Sequence, residues 1–331
     1  MSVGRSFEPR LRRLRGRDWI RRSFRETRLH PEEFVAPIFV LDAKGKVEPI
    51  EEMPGVNRYS VDKLDAYVGR LAKAGVRNVL LFGVPSKKDA MGTGAYAKDG
   101  VVPRAVRSLR KGFPELVIMT DVCLCEYTSH GHCGVLTGEK IDNDKTLPLL
   151  AKAAVEYASA GADVVAPSAM MDGQVLAIRE ALSRAGMKDT LVMGYSAKYA
   201  STFYSPFRSA AGSKPSFGDR KSHQMDVASR RQAMREIEAD VREGADLVMV
   251  KPALAFLDVI SEARRRFDLP LAAYDVSGEY AMVKAAAARG WLDEKAAVYE
   301  ILVGMKRAGA DLIITYFAEQ AARWMKEGWG A

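Results

Sequence analysis

Short apolar runs rich in β-branched residues recur along the chain, with longer amphipathic segments between them. Apolar residues follow one another within each run rather than alternating with polar ones, which is typical of parallel strands buried on both faces. The runs predict eight strands, at Phe34–Val40, Asn78–Val84, Leu116–Cys123, Asp163–Pro167, Leu191–Tyr195, Asp246–Val250, Leu271–Asp275 and Asp311–Tyr316.

Four of these strands directly follow a helical segment that ends in glycine, in the stretches KAGVRNVLLFG, SAGADVVAPS, EGADLVMVK and RAGADLIITY. Glycine suits the left-handed conformation that closes the C-terminus of a helix. Repeated joints of this kind are typical of βα units, and eight units predict an α/β fold of the (β/α)8 TIM barrel type. A doubly wound open sheet is the alternative. We predict a barrel at residues 31–331 behind an extended N-terminal arm at residues 1–30.

The active site of such a barrel lies at the C-terminal ends of its strands. The long segment 199–230 follows the fifth predicted strand and is rich in Ser, Gly, Arg and Lys. Segments of this length are often active-site lids, and the basic side chains favour a lid that binds an anion. A disordered surface loop is the alternative. Polar residues also end or follow several strands, namely Asp121, Ser168, Ser196, Lys198, Lys251, Asp275, Ser277 and Tyr316.

Two of these polar residues are lysines at the ends of apolar runs. Lys198 follows LVMGYSA, and Lys251 follows LVMV. Burial and a second cation nearby both favour the neutral amine, which can attack a carbonyl carbon. Because consecutive barrel strands would hold the two lysines close together, we predict that both are catalytic. The alternative for a lone lysine is a side chain that reaches out to place its amino group in water.

Every cysteine of the chain lies in one stretch, DVCLCEYTSHGHCG. Cys123 and Cys125 alternate at a predicted strand end and should project to the same side, and glycines let the chain fold back to bring in Cys133. Three thiolates with an open fourth position predict a catalytic zinc (Zn2+) site, with His130 and His132 as hydrogen-bonding or proton-handling neighbours. Three incidental buried thiols are the alternative. The clustering also favours a reduced, cytoplasmic setting over a disulfide framework.

Composition is that of an ordinary globular protein, with 48% hydrophobic and 28% charged residues. No apolar stretch approaches the roughly 20 residues that span a bilayer, so no membrane partner is expected. Much of the net charge of +8 lies in the arm, which could be a nucleic-acid-binding segment or a transit peptide. Acidic residues and the apolar Leu11, Leu14, Trp19 and Phe24 interleave with the arginines, which favours a contact with another subunit and no nucleic acid.

Long motifs in the same order across most of the chain resemble a single enzyme family. They are DVCLCEYTSHGHCG, APSAMMDG, YSAKYAS, PFR, GDRKSHQMD, MVKPA, YDVSGEYAM and RAGADLI. On these residues the chain is similar to the porphobilinogen synthase family, also called 5-aminolevulinate dehydratase. The resemblance implies a hydro-lyase of tetrapyrrole (haem) biosynthesis that condenses two 5-aminolevulinate molecules to porphobilinogen, with loss of two waters, through lysine Schiff bases. It also implies a homo-octamer in which the arm wraps a neighbouring subunit.

The resemblance implies roles for individual residues. Lys251 resembles the lysine that holds the first substrate, Lys198 resembles the second Schiff-base lysine, and the cysteines match zinc ligands. Glu236 alone would be an ordinary helix-face carboxylate, but it matches a glutamate that binds an allosteric, activating magnesium (Mg2+). Asp121, next to the cysteines, is a candidate proton carrier. The expected substrate-binding residues are Ser277 and Tyr316 for the first carboxylate, Arg208 and Arg220 for the second, and Ser168, Tyr204, Gln224 and Tyr274 elsewhere in the site.

Two residues depart from the family pattern, and two other functions are alternatives. His223 stands where the family usually has tyrosine, and Asp275 where glutamine is common, but neither removes a catalytic residue. A class I aldolase also uses a barrel lysine, but it needs only one lysine and no three-cysteine site. A zinc-dependent nucleic-acid-binding protein would use the basic arm, but it explains neither the paired lysines nor the carboxylate-binding residues.

Overall fold

The structure is a computed structural model that describes residues 10–329. Arm residues 1–9, and with them Arg5 and Glu8 of the basic segment, lie outside the described residues. Eight parallel strands pair in chain order, and the first also pairs with the last, which closes the barrel. The predicted TIM barrel is therefore confirmed. The strands are β1 (Phe34–Leu41), β2 (Asn78–Val84), β3 (Val117–Val122), β4 (Val164–Pro167), β5 (Leu191–Lys198), β6 (Leu247–Lys251), β7 (Leu271–Asp275) and β8 (Leu312–Thr315).

Helices lie between the strands and cover the outside of the barrel. Short strands at Val47–Pro49 and Asn57–Ser60 extend the sheet beside β1, and Leu136–Thr137 pairs with Lys140–Ile141. No helix within residues 10–329 is long and apolar enough to cross a bilayer. The helices are α1 (Asp18–Ser23), α2 (Leu64–Ala74), α3 (Val101–Gly112), α4 (Asn143–Ser159), α5 (Gln174–Arg184), α6 (Ser205–Ala210), α7 (Arg230–Arg242), α8 (Leu257–Arg266), α9 (Ser277–Ala288), α10 (Glu294–Ala308) and α11 (Ala318–Lys326).

The glycine joints adopt the predicted left-handed conformation. Their φ angles are 103° at Gly75, 108° at Gly161, 96° at Gly244 and 123° at Gly309. At Gly309 an added Cβ would lie 2.6 Å from a side-chain carbon of Arg264, so close packing as well as backbone geometry requires glycine there.

Three of these joints carry the same set of polar contacts. An arginine on the helix that leads into the neighbouring strand donates to the carbonyl of the joint glycine and to the aspartate two residues after that glycine. That aspartate also accepts a backbone N–H from the start of the neighbouring strand. Each set therefore fastens two adjacent strands and a helix at the N-terminal end of the barrel. The pairs are Arg110 with Asp163, Arg179 with Asp246, and Arg264 with Asp311.

At the fourth joint asparagine replaces the arginine–aspartate pair. The side-chain amide of Asn78 donates to the carbonyl oxygens of Glu32, at 2.7 Å, and Phe34, at 3.3 Å. The strand pairs β1–β2, β3–β4, β5–β6 and β7–β8 are thus each joined by a side chain at the end opposite to the barrel mouth.

The segment predicted as a lid packs over the barrel mouth. It is more regular than the sequence suggested, because it contains helix α6. Phe207 of α6 packs on Phe39 and Phe82 of the barrel, with ring centroids 5.5 and 5.0 Å apart. The guanidinium of Arg58 donates to the carbonyl oxygens of Ser209 and Ala210 at 2.9 and 2.6 Å. These contacts hold the segment closed over the strand ends.

Candidate active site

Lys198 and Lys251 are the last residues of adjacent strands and are register partners. Each side chain is only 5% exposed. The register shifts within this strand pair, because Val248 pairs with Gly194 whereas Val250 pairs with Ala197. Strand β5 therefore carries one extra residue, a β-bulge, and this residue brings the two lysines opposite each other.

The amino group of Lys251 lies among aromatic rings. Its Nζ is 4.1 Å from the ring centroid of Tyr274, 5.0 Å from that of Tyr195, 5.3 Å from that of Tyr204 and 5.1 Å from that of Phe207. Burial, and then the positive charge of Lys198, lower the pKa of Lys251 to about 7. A large fraction of this amine is therefore neutral, and hence nucleophilic, at neutral pH.

Asp121, Ser168 and Lys198 form a buried polar chain. The amino group of Lys198 donates to the backbone carbonyl of Ser168, and the Ser168 hydroxyl donates to Asp121 Oδ2 at 3.0 Å. Burial raises the pKa of Asp121 to about 6, although Lys198 and Lys251 act to lower it. Asp121 can therefore accept and return a proton near neutral pH.

The three cysteines lie together beside the lysines, as predicted. The reasoning for two of them was wrong, because β3 ends at Val122 and Cys123 and Cys125 follow it in a turn rather than alternating along the strand. The turn places their sulfur atoms 3.3 Å apart, and all three Sγ atoms lie within 4.8 Å of one another. Gly131, at a φ of 71°, helps to return the chain to Cys133.

The pKa values of two thiols in this cluster shift in opposite directions. Burial raises the pKa of Cys123 well above the usual value for a thiol. Hydrogen bonds from Cys123 and Cys125 lower the pKa of Cys133. Three buried sulfur atoms around one point form a donor set that can hold a metal ion in place of the thiol protons.

The two predicted guanidinium groups both belong to the lid segment. Arg220 is 5% exposed and donates to the carbonyl oxygens of Gly131, at 2.9 Å, and Ser213. Arg208 is half-buried, and its Nε has no hydrogen-bond partner among residues 10–329. Burial, and then the charge of Arg220, lower the pKa of Arg208. Two neighbouring cations with a free donor are suited to a carboxylate.

Four other predicted substrate-binding residues carry hydroxyl groups that make hydrogen bonds at the site, namely Tyr204, Tyr274, Ser277 and Tyr316. The hydroxyl oxygens of Tyr274 and Tyr316 are 3.2 Å apart, and the Tyr204 hydroxyl donates to the Lys251 carbonyl at 2.9 Å. The Ser277 hydroxyl accepts the Phe207 N–H at 3.0 Å and donates to a lid carbonyl. Ser277 therefore holds the lid in this closed arrangement.

Gln224 and Glu236 do not line the small cavity at the lysines. Both line a separate cavity of about 1080 Å3 between the lid and helices α5 and α7, together with His132, His223 and Asp240. The small cavity at the lysines is only about 10 Å3 and is lined by Asp121, Ser168, Lys198, Tyr204, Phe207 and Lys251, among others. Burial raises the pKa of Glu236 because it removes water from the ionised carboxylate. A cation bound nearby would stabilise that ionised form.

Of the two departures from the family pattern, Asp275 is buried and His223 is half-buried. Burial, and then Lys198 and Arg220, lower the pKa of His223 to about 4, so its ring is neutral at neutral pH. Asp275, at the end of β7, accepts a hydrogen bond from Thr315 at 2.6 Å.

Sequence reasoning missed two aromatic residues of the site. Tyr195 lies beside both amino groups, its ring centroid 5.4 Å from Lys198 Nζ and 5.0 Å from Lys251 Nζ. Phe207 covers Lys251 from the lid. Strict alternation along β5 would have placed Tyr195 on the face opposite to Lys198, and only the bulge, which no local motif announces, brings both toward the lysine site.

A closed (β/α)8 barrel with two buried lysines in register beside three thiols defines a TIM-barrel enzyme with a paired-lysine site. The family model described as "Delta-aminolevulinic acid dehydratase" matches residues 8–324. The chain belongs to this family, which confirms the resemblance drawn from the motifs.

Individual relatives match along almost the whole chain. It is 56% identical to delta-aminolevulinic acid dehydratase of Archaeoglobus fulgidus over 313 residues, 95% of this chain and 97% of the relative. Identity to the Bacillus subtilis protein of the same name is 52% over 318 residues, with 96% and 98% covered. The structure of the Toxoplasma gondii ME49 enzyme in complex with the product porphobilinogen matches with a TM-score of 0.95 at 45% identity, covering 97% of this chain and 92% of that one.

Proposed function

We propose that this protein condenses two molecules of 5-aminolevulinate to porphobilinogen and releases two waters. The observation that carries the proposal is the register pairing of two buried lysines, Lys198 and Lys251, inside a barrel of the delta-aminolevulinic acid dehydratase family. Each substrate molecule carries a ketone, which a lysine amine can attack, and a carboxylate, which basic or hydroxyl groups can bind. The site contains two sets of such groups.

Lys251 holds the first substrate as a Schiff base. Its neutral amine adds to the ketone carbon, and loss of one water leaves a carbon–nitrogen double bond. Lys198 forms the second imine in the same way, with loss of the second water. One carbon–carbon and one carbon–nitrogen bond then join the two substrates, and both lysines are released as amines. The register of β5 and β6 holds the two ketone carbons side by side, which lowers the entropic barrier to their reaction.

Asp121 serves as the proton carrier beside Lys198. Its pKa of about 6 and its link to Ser168 suit a group that takes a proton as an imine forms and returns it later. The carboxylate of the second substrate binds Arg208 and Arg220, and that of the first binds Ser277 and Tyr316. Ser168, Tyr204, Gln224 and Tyr274 complete the binding surface. Since Ser277 now bonds the lid, the first carboxylate would take over one of these hydrogen bonds.

The metal held by Cys123, Cys125 and Cys133 is zinc. Three soft sulfur donors within 4.8 Å of one another fit that ion and leave one coordination position open. Zinc bound there would supply Lewis-acid chemistry to a substrate oxygen or amine.

Glu236 binds an activating magnesium in the large cavity, away from the lysines. Residues 199–230 form the lid of a catalytic domain at 31–331. Residues 1–30 form an arm that contacts another subunit in a homo-octamer. The exposed Leu11, Trp19 and Phe24 of the arm, at 77%, 75% and 66%, support a contact between subunits. The unpaired, buried thiols support a reducing, cytoplasmic location.

Borohydride trapping with 5-aminolevulinate tests this function directly. The wild-type protein, Lys251→Ala and the surface control Lys188→Ala would be incubated with substrate, reduced, and mapped by peptide mass spectrometry. We expect an adduct on Lys251 and porphobilinogen formation in the wild type and the control, and neither in Lys251→Ala. The absence of any lysine adduct in folded, zinc-loaded wild-type protein would overturn the proposal.

A further inference from the structure

Two buried carboxyl groups face each other behind the ends of β6, β7 and β8. Asp275 is the last residue of β7, and Glu279 lies in the first turn of α9. Each residue is 1% exposed. The two carboxyls act on each other's pKa, and no cation of residues 10–329 forms an ion pair with either of them. Two adjacent carboxylates without a cation cannot both be ionised in a buried site without a large desolvation and repulsion cost.

Glu279 joins the strand end that carries Lys251 to the strand end that carries Ser277. One carboxyl oxygen accepts the N–H of Leu254, three residues after Lys251, at 2.9 Å. The other accepts the N–H of Val276, immediately before Ser277, at 2.8 Å. A single side chain therefore sets the distance between the Schiff-base lysine and one carboxylate-binding residue.

Asp275 extends this connection to the third strand end. Its Oδ2 accepts the hydroxyl hydrogen of Thr315 at 2.6 Å, and the Thr315 oxygen in turn accepts the N–H of Phe317 at 3.1 Å. These two residues flank Tyr316, the second residue assigned to the first carboxylate. The other oxygen of Asp275, Oδ1, has no hydrogen-bond partner within the described chain.

We propose that Asp275 and Glu279 share one proton and act together as positioning residues for the first-substrate half of the site. Glu279 keeps the negative charge, because both of its oxygens accept backbone N–H groups. Asp275 keeps the proton and donates it to Glu279. The pair then holds Lys251, Ser277 and Tyr316 at fixed separations. This inference rests on the proposed function for its kinetic consequence, but not for the sharing of the proton.

The shared proton makes the arrangement sensitive to alkaline pH. Burial raises the pKa of Asp275 and of Glu279, and the negative charge of Asp275 raises the pKa of Glu279 further. The other titratable groups that face the pair are Tyr204, Tyr280 and Tyr316, and burial raises the pKa of each, so they remain neutral when the pair loses its proton. Loss of that proton would place two charges side by side and loosen the three strand ends.

The first test is thermal stability, which does not depend on catalysis. In Asp275→Asn the side-chain amide can donate to Glu279 while its oxygen still accepts from Thr315. A carboxyl whose pKa is raised by folding stabilises the protein at low pH and loses that contribution as pH rises to the folded-state pKa. The difference in Tm between Asp275→Asn and the wild type should therefore grow in favour of the variant from pH 5 to 8, by about 2–4 °C. A difference that is constant with pH would overturn proton sharing.

The second test is steady-state kinetics on zinc-loaded protein. Asp275→Ala should raise KM for 5-aminolevulinate about tenfold at pH 7 with a smaller change in kcat, and Asp275→Asn should restore KM. The wild-type KM should rise at alkaline pH, and that rise should be absent in Asp275→Asn. The control Asp311→Asn, at the opposite end of the neighbouring strand, should keep the rise.

The positioning role and the sharing of the proton can each be overturned separately. Equal alkaline KM profiles in the wild type and Asp275→Asn would overturn the positioning role. If wild-type protein formed no porphobilinogen, the proposed function would be wrong, while the stability comparison would still decide whether the two carboxyls share a proton.

Discussion

Lys198 and Lys251 are direct partners across two adjacent parallel strands, and one extra residue in β5 makes them so. Lys251 lies three residues after Val248, whereas Lys198 lies four residues after that residue's partner, Gly194. In a regular strand pair Lys251 would lie opposite Ala197. The bulge thus places the two amines close enough for the charge of one to lower the pKa of the other.

This proximity predicts the effect of removing one amine on the other. In Lys198→Met the like charge is lost, so the pKa of Lys251 should rise and less of its amine should be neutral at pH 7. Each pKa unit changes the neutral fraction about tenfold, so we expect the rate of imine formation at Lys251 to fall roughly three- to tenfold at pH 7 and to recover at pH 9. The measurement is borohydride trapping at short times across pH. The exposed control Lys188→Met should keep the wild-type profile, and an unchanged profile in Lys198→Met would contradict the electrostatic link.

Removal of one thiol should remove the metal. We expect Cys133→Ala to lose at least about 90% of bound zinc at micromolar free zinc, because two sulfur donors hold this ion far more weakly than three. Elemental analysis after dialysis measures the stoichiometry, and product formation should fall in parallel. Treatment of the wild type with a chelator should have the same effect, with recovery on adding zinc but not magnesium. Retention of one zinc per chain by Cys133→Ala would show that the ion binds elsewhere.

Glu236 should affect magnesium activation without being required for catalysis. Its carboxylate faces the large cavity rather than the lysines, so Glu236→Ala should remove stimulation by magnesium while basal kcat changes by less than about threefold. The matched control is Glu238→Ala on the same helix, where the glutamate pairs with Arg242 at the surface. A titration of activity against magnesium compares the three proteins. Equal stimulation in all of them would rule out Glu236 as the ligand.

The arm should determine the size of the assembly. Deletion of residues 1–30 is expected to reduce the molar mass measured by light scattering to that of a smaller oligomer. The double variant Trp19→Ala/Phe24→Ala, which removes two exposed aromatic side chains, should shift the mass in the same direction. If both proteins keep the wild-type mass, the arm is not a subunit contact.

Much of this architecture could be predicted from local patterns, because each pattern has a local physical cause. Consecutive apolar residues marked the eight strands, and glycine at the left-handed joints marked where helices end. The position of Cys133 beside the other thiols was also predictable, since glycines flank it. What could not be predicted depends on contacts distant in sequence. The bulge in β5, the packing of Phe207 over Lys251 and the pairing of Asp275 with Glu279 each arise only once strands and lid are assembled.

The role of Ser277 illustrates the same limit. The resemblance assigned its hydroxyl to a substrate carboxylate, and nothing in the sequence indicated that the hydroxyl would bond the lid backbone at Phe203 and Phe207. A hydroxyl has both a donor and acceptor positions, so one residue can serve the lid in one arrangement and the substrate in another.

The side-chain contacts at the four glycine joints divide the barrel into four repeating quarters of two strands each. The two strands of each quarter are joined by their own polar contacts, all at the end of the barrel away from the lysines. Strand β8 pairs with β1 where the first and last quarters meet. A gene rearranged to start between two quarters, with the original ends linked, would leave all of these contacts intact. The barrel is therefore suited to circular permutation at three internal positions, and the quarter carrying Lys251 need not be adjacent in sequence to the quarter carrying Tyr316.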